Sequence, residues 1–281
     1  MSNRARIREE ARKLNPIDDL MFRKMAEDIQ FCQEILRVIL SDKSLTVLET
    51  VVQYTGTNLK GRSVILDAKC VLGDNTQVNI EVQKADDDNH QKRVRYNGAI
   101  LTTNIAEPGD RFEQIPNVCI VFISKFDVFK KNYAIYHIER VIRETGEVAD
   151  NGFQEVYVNA KAKDGSEVSE LMKVFVDDEA YNDKFPITSE SKRRYKETEE
   201  GQQIMCDIME RIAKEERKQG RKEGRKEGRK EGRKEGRKEI NKLNAILIER
   251  NRFDDLKRAA TDYDYQVQLM MELLPNEKSG V

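Results

Sequence analysis

Cysteine is scarce in this 281-residue chain and never paired: Cys32, Cys70, Cys119 and Cys206 stand singly, without a CxxC motif or a histidine at ligand spacing. That excludes a zinc ribbon and a disulfide framework, and it marks the four as small buried hydrophobes. Long apolar runs are missing as well. The longest, Val118 to Ile123, is far short of the roughly 20 residues that a membrane span needs. The N-terminal residues carry Arg4, Arg6, Arg8 and Arg12 with no apolar stretch behind them, so they do not read as a signal peptide, and a cytoplasmic protein is expected. Net charge is nearly absent, at −1, which rules out a globally basic nucleic-acid clamp. The two histidines, His90 and His137, are isolated from each other and read as structural.

The charge that is present is unevenly placed. Residues 216–239 hold 12 basic and 6 acidic side chains, and from Gly220 the tetrad Gly-Arg-Lys-Glu repeats five times without a break. A period of four overshoots the helical turn by about 40° per repeat, and each glycine costs about 1 kcal/mol against alanine in a helix. The segment taken alone is therefore expected to be a disordered or fraying solvated spacer, with self-association or a DNA-facing arm as the alternatives. Helical periodicity returns with Leu243, Ile246, Leu247, Leu256, Leu269 and Leu273, and Pro275 follows. The division expected is a basic N-terminal segment (1–14), an α/β domain (15–185), a helical linker (186–215), the repeat (216–239) and a helical tail (240–276).

Within the α/β region, apolar residues between Ile17 and Leu40 fall at three-and-four spacing and predict an amphipathic helix. Strand-like runs follow at Val47–Tyr54, Arg62–Leu72 and Thr76–Lys84. Asp86-Asp87-Asp88 offers cap oxygens to a second helix, with Val94, Gly98, Leu101 and Ile105 on one stripe. Asn117–Ser124 reads as a strand buried on both faces. The order is α, β, β, β, α, β, with further strands at Tyr133–Ile138 and Phe153–Val158 and a helix at Val168–Phe175.

The second and third strands flank Gly73-Asp74-Asn75. A three-residue loop there sets Leu72 opposite Thr76 and Asp67 opposite Glu81. Alternation puts Val64, Leu66, Ala68, Cys70 and Leu72 on one apolar face with Val78, Ile80 and Val82, and projects Asp67, Lys69, Asn79, Glu81 and Gln83 from the other. Facing acids repel across a sheet. Either both are solvated, or a divalent cation resolves the charge; Mg²⁺ binds one or two carboxylates and leaves room for phosphate oxygens.

Leu14-Asn15-Pro16-Ile17-Asp18-Asp19-Leu20-Met21-Phe22-Arg23-Lys24, Leu66-Asp67-Ala68, Ile80-Glu81-Val82-Gln83, Arg93-Val94-Arg95-Tyr96 and the Gly-Arg-Lys-Glu repeats together resemble the PD-(D/E)XK nuclease superfamily, in its branch of recombination-promoting nucleases or PD-(D/E)XK family transposases. The resemblance implies a restriction-endonuclease-like core with a mixed sheet in αβββαβ order and a helical C-terminal extension. It implies a metal-dependent DNA endonuclease, with Mg²⁺ or Mn²⁺ held by Asp67 and Glu81 and with Asp19 as an accessory acid. The position two after the glutamate, usually lysine, is Gln83, which is expected to orient water through its amide; Lys69, on the same face as Asp67, is a stand-in for the missing cation. Lys84 points to the opposite face. Arg93, Arg95 and Tyr96 are candidates for DNA phosphate contacts. A catalytically weak or inactive descendant that binds DNA or protein is the alternative, and homo-oligomers through the repeat and tail are expected.

Overall fold

The Gly73-Asp74-Asn75 loop reverses the chain tightly enough to hold its flanking strands in one register. Asn75 takes φ 69°, a left-handed conformation that asparagine tolerates, and the Leu72 amide donates to the Thr76 carbonyl at 2.9 Å. The computed structural model of the chain describes residues 3–58 and 61–274. Its pairings across the hairpin are Val71↔Gln77, Cys70↔Val78, Lys69↔Asn79 and Ala68↔Ile80, the register that the sequence predicts.

In chain order the elements are α1 (Asn3–Arg12), α2 (Asp19–Met25), α3 (Ile29–Ile39), β1 (Val47–Gly56), β2 (Val64–Leu72), β3 (Gln77–Gln83), α4 (His90–Ile105), β4 (Val118–Ser124), β5 (Ile135–Ile138), β6 (Phe153–Asn159), α5 (Glu167–Val176), α6 (Pro186–Glu197), α7 (Glu199–Glu249), α8 (Phe253–Ala259) and α9 (Tyr263–Leu273). The six strands form one mixed sheet in the order β1-β2-β3-β4-β6-β5. The β1–β2–β3 meander is antiparallel, β3, β4 and β6 are mutually parallel, and β5 returns antiparallel on β6. Every residue of β4 is buried, as a strand covered on both faces requires.

Two apolar cores lie on opposite faces of this sheet. One joins Phe22, Phe31, Ile35 and Leu36 to Val78, Ile80, Val121 and Phe175; the other joins Val94 and Leu101 of α4 to Ile120, Phe122 and Tyr157. Gly98 lets α4 settle closely, because a Cβ there would lie 2.3 Å from the Phe153 ring. On the first face α6 packs against α3, and the buried Lys192 donates to the carbonyls of Val174 (3.0 Å) and Ala180 (3.1 Å) at the end of α5.

Three local expectations need correction. The single helix over 17–40 is two, because Asp28 accepts from the Gln30 amide at 2.9 Å and caps a new start. The cap of α4 is Asn89, which accepts from the Lys92 amide at 3.1 Å, while Asp86 instead bonds the His90 ring. Finally, β2 does not keep one apolar face. Ala68, Cys70 and Leu72 join the first core, whereas Val64 and Leu66 join the second. The change falls at Asp67, opposite Gln53, whose φ of 53° interrupts the regular pleat of β1.

The chain divides into two compact units, residues 1–209 and 210–281. Helix α7 begins in the first, where Met205 and Cys206 are buried, and ends in the second, where Leu243 and Leu247 pack with Ala259 and Leu269. The repeat is therefore the interior of a helix whose two ends are tied down, and so it propagates without a nucleation cost of its own. This is how the segment expected to fray stays helical. The expected end of the tail at 275–276 lies outside the described residues. All four cysteines are buried. Among the described residues no helix is long and apolar enough to cross a membrane.

Candidate active site

Strand β3 is central in the sheet and buried nearly throughout, so any charge it carries must be compensated locally. Glu81 is that charge, with a side chain 1% exposed, and Asp67 on β2 is 5% exposed. All four of their oxygens are occupied. Asp67 Oδ2 accepts from the Val82 amide at 3.1 Å, and its Oδ1 accepts from Arg23 at 3.0 and 3.2 Å. Glu81 Oε1 accepts from the amides of Asn79 and Asn97, both at 3.1 Å, and its Oε2 accepts from Arg93 at 3.1 Å. The ladder between β2 and β3 ends at Ala68↔Ile80; one step further the Asp67 carboxylate takes the place of a strand carbonyl on the Val82 amide.

Asp19, at the start of α2, is the third acid. Arg23, one turn on, bridges it at 2.6 Å to Asp67. Burial and the negative charge of Asp67 push the Glu81 carboxyl up to about 7, with Arg93 opposing. Asp19 is pushed up to about 7 by desolvation and by Asp67, with Arg23 opposing; its side chain is 52% exposed, so solvent moderates the effect. Three carboxylates thus share two guanidiniums.

The remaining predicted residues divide. Gln83 accepts from Arg93 at 3.1 Å, and its amide nitrogen donates to Ala85 O at 2.9 Å and Asp87 at 3.3 Å. It ties Arg93 to the loop before α4. Lys69 lies over the Tyr54 ring at 4.9 Å, and the cations that reach the acids are Arg23 and Arg93. Lys84 pairs with Asp18 at 2.7 Å, the residue before Asp19. Tyr96 donates to Arg62 O and accepts from Asn58 at 3.1 Å, bracing the loop after β1. Arg95 is exposed and lines a groove with Thr102, Phe112 and Arg140. His90 is buried against Phe122 and Phe126. Nothing in the strand alternation or the family resemblance gives a role to Arg23, Asn79 or Asn97. Helical spacing offered a signal for two of them, since Arg23 lies four residues after Asp19 and Asn97 four after Arg93.

Hard carboxylate oxygens from two facing strands suit a divalent cation. Asn79 Oδ1, buried and without a hydrogen-bond partner, adds an acceptor that a metal-bound water can satisfy. Among the described residues no group of three or more His, Cys, Asp or Glu side chains is gathered as a metal cage.

A mixed six-stranded sheet backed by helices on both faces, with acids on adjacent antiparallel strands, is an α/β fold consistent with a PD-(D/E)XK protein. The chain belongs to the PD-(D/E)XK nuclease family transposases, whose sequence profile matches residues 16–230. No curated protein and no solved structure matches it.

Proposed function

We propose that the chain is a divalent-metal-dependent DNA endonuclease, with residues 15–185 as its working domain. The observation that carries this reading is the convergence of Asp67 and Glu81 just beyond the end of the β2–β3 ladder, close enough for their charges to interact, with more carboxylates than arginines to answer them. Asp67 and Glu81 would hold Mg²⁺ or Mn²⁺, with Asp19 reaching the cluster from α2. A cation held there would supply Lewis-acid activation of a water and charge stabilisation of the scissile phosphate. Arg93 is held between Glu81 and Gln83, so its guanidinium supplies, from a helix, the positive charge that Gln83 cannot. Freed from Glu81, it is shaped to grip a phosphate bidentately. Asn97 and Asn79 orient Glu81 through its other oxygen.

Gln83 also favours a second reading, a catalytically weak descendant that binds DNA or protein without cleaving. Both hydrogen bonds donated by its amide nitrogen go to the loop. Cleavage of supercoiled plasmid with Mg²⁺ or Mn²⁺, against EDTA and against Glu81→Ala prepared identically, separates the two. Metal-dependent nicking that disappears in the variant is expected. Equal nicking by both proteins, or none by either, would remove the endonuclease reading.

A further inference from the structure

Beyond the acid cluster, a strongly basic surface lies on α7. The side chains lining one groove along this helix, from Lys214 to Arg229, are all lysine or arginine, among them Arg217, Lys218, Arg221, Lys222 and Arg225. These side chains are exposed, and none is in an ion pair among the described residues, although every tetrad contains a glutamate. Helical geometry explains the segregation. Arginine and lysine occupy adjacent positions of the tetrad, so their stripes merge into one band, while glycine and glutamate fall on the remainder of the circumference. The band drifts by about 40° per tetrad. Over the four turns from Lys214 to Arg229, roughly 22 Å of helix axis, it therefore winds by about 140° round the helix as one continuous basic band.

We infer that this band of α7 is a docking surface for the phosphate backbone of duplex DNA, an inference whose choice of polyanion rests on the endonuclease reading. Duplex DNA carries a negative charge about every 1.7 Å of axis, so about 22 Å presents on the order of a dozen phosphates. An α-helix fits the major groove, where phosphates flank it on both sides. Contacts of this kind position the protein without reading sequence, which suits a band built from an invariant repeat. The glycines leave the opposite face open: at Gly220, Gly224 and Gly228 an added Cβ would meet nothing within 4 Å.

The test uses the full chain in EDTA, so that binding is read without cleavage. Anisotropy of a labelled duplex of about 30 base pairs is followed from about 50 to 200 mM salt for the parent, for Arg221→Gln/Arg225→Gln/Arg229→Gln, and for the same three positions changed to lysine. The glutamine variant is expected to lose about tenfold or more in affinity and to lower the salt slope by about 2 to 3. The lysine variant is expected to keep both, and circular dichroism should show equal helix content in all three. An unchanged slope in the glutamine variant overturns the inference, as does equal loss in the lysine variant. A change of mass by light scattering that accompanies the loss would reassign the band to contacts between copies, and equal or tighter binding of single-stranded RNA would reassign its occupant; both also overturn it. Failure here with a Mg²⁺-induced thermal shift that Glu81→Gln abolishes would strike the band and leave the acid site standing.

Discussion

The two compact units use the same charged residue types to opposite ends. In the first, Glu81 and Asp67 are enclosed and each of their oxygens accepts a hydrogen bond from a fixed donor. In the second, the repeat glutamates, arginines and lysines are exposed along a single helix. Coulomb interactions are weak across water and strong where water is excluded. A buried glutamate therefore becomes an individual chemical group with a shifted pKa, while a glutamate in the repeat is one charge among many. The contrast teaches that composition locates charge, and that only enclosure gives a charge a specific task.

The widest separation between the units is expected from packing. Phe31→Ala empties a fully buried position between Phe22 and Phe175 and should cost about 3–5 kcal/mol in urea unfolding of the first unit. Before urea is added, the helicity of the repeat should match the parent's.

Titration gives the next effect. The Glu81 carboxyl stands at about 7 in the folded chain against an ordinary 4.5. The folded state thus binds the extra proton, and the stability it contributes is present below pH 4.5 and lost as pH rises through about 7. In EDTA, the unfolding free energy should fall between pH 5 and 8 by an amount on the order of 1–3 kcal/mol, read as a falling melting temperature. Glu81→Gln should reduce that slope to the part that Asp19 contributes, and saturating Mg²⁺ should reduce it too; a slope that the substitution leaves unchanged would assign it elsewhere.

Arg23→Gln sharpens the comparison within the site. It removes the guanidinium shared by Asp19 and Asp67, so the metal-free protein should lose about 1–2 kcal/mol. The melting-temperature rise produced by Mg²⁺ should increase, because the cation no longer competes with an internal counter-ion. A smaller rise would show that Arg23 helps to hold the cation instead. The smallest effect belongs to the repeat. Gly228→Ala, where nothing lies within 4 Å of the new methyl, should raise helix stability by at most about 1 kcal/mol and leave unfolding of the first unit unchanged.

Much of the fold is legible in the residues because it is local. Gly73-Asp74-Asn75 dictates a three-residue reversal, and with it the register that runs to Ala68↔Ile80, one step short of Asp67 and Glu81. The continuous apolar run of β4 states its own burial. The repeat declares its exposure by containing no apolar side chain. The less legible features depend on partners distant in sequence. Lys69 was a reasonable stand-in for the motif's lysine on strand alternation alone. Yet Arg23, 44 residues before Asp67, and Arg93, 12 after Glu81, are the cations that arrive. Tyr96, from its place beside two arginines, suggested a phosphate contact, whereas the loop it braces lies more than thirty residues earlier.

By itself, then, the sequence determined the element order, the hairpin register and the segregation of charge, all of which follow from backbone sterics and periodicities of two and 3.6 residues. The tertiary structure alone decided that β2 serves two cores and that α2 and α4 converge on the acids. It alone decided which long, flexible guanidinium answers which carboxylate. The physical reason is that such side chains have many reachable partners, and only the packed sheet and helices remove all but one.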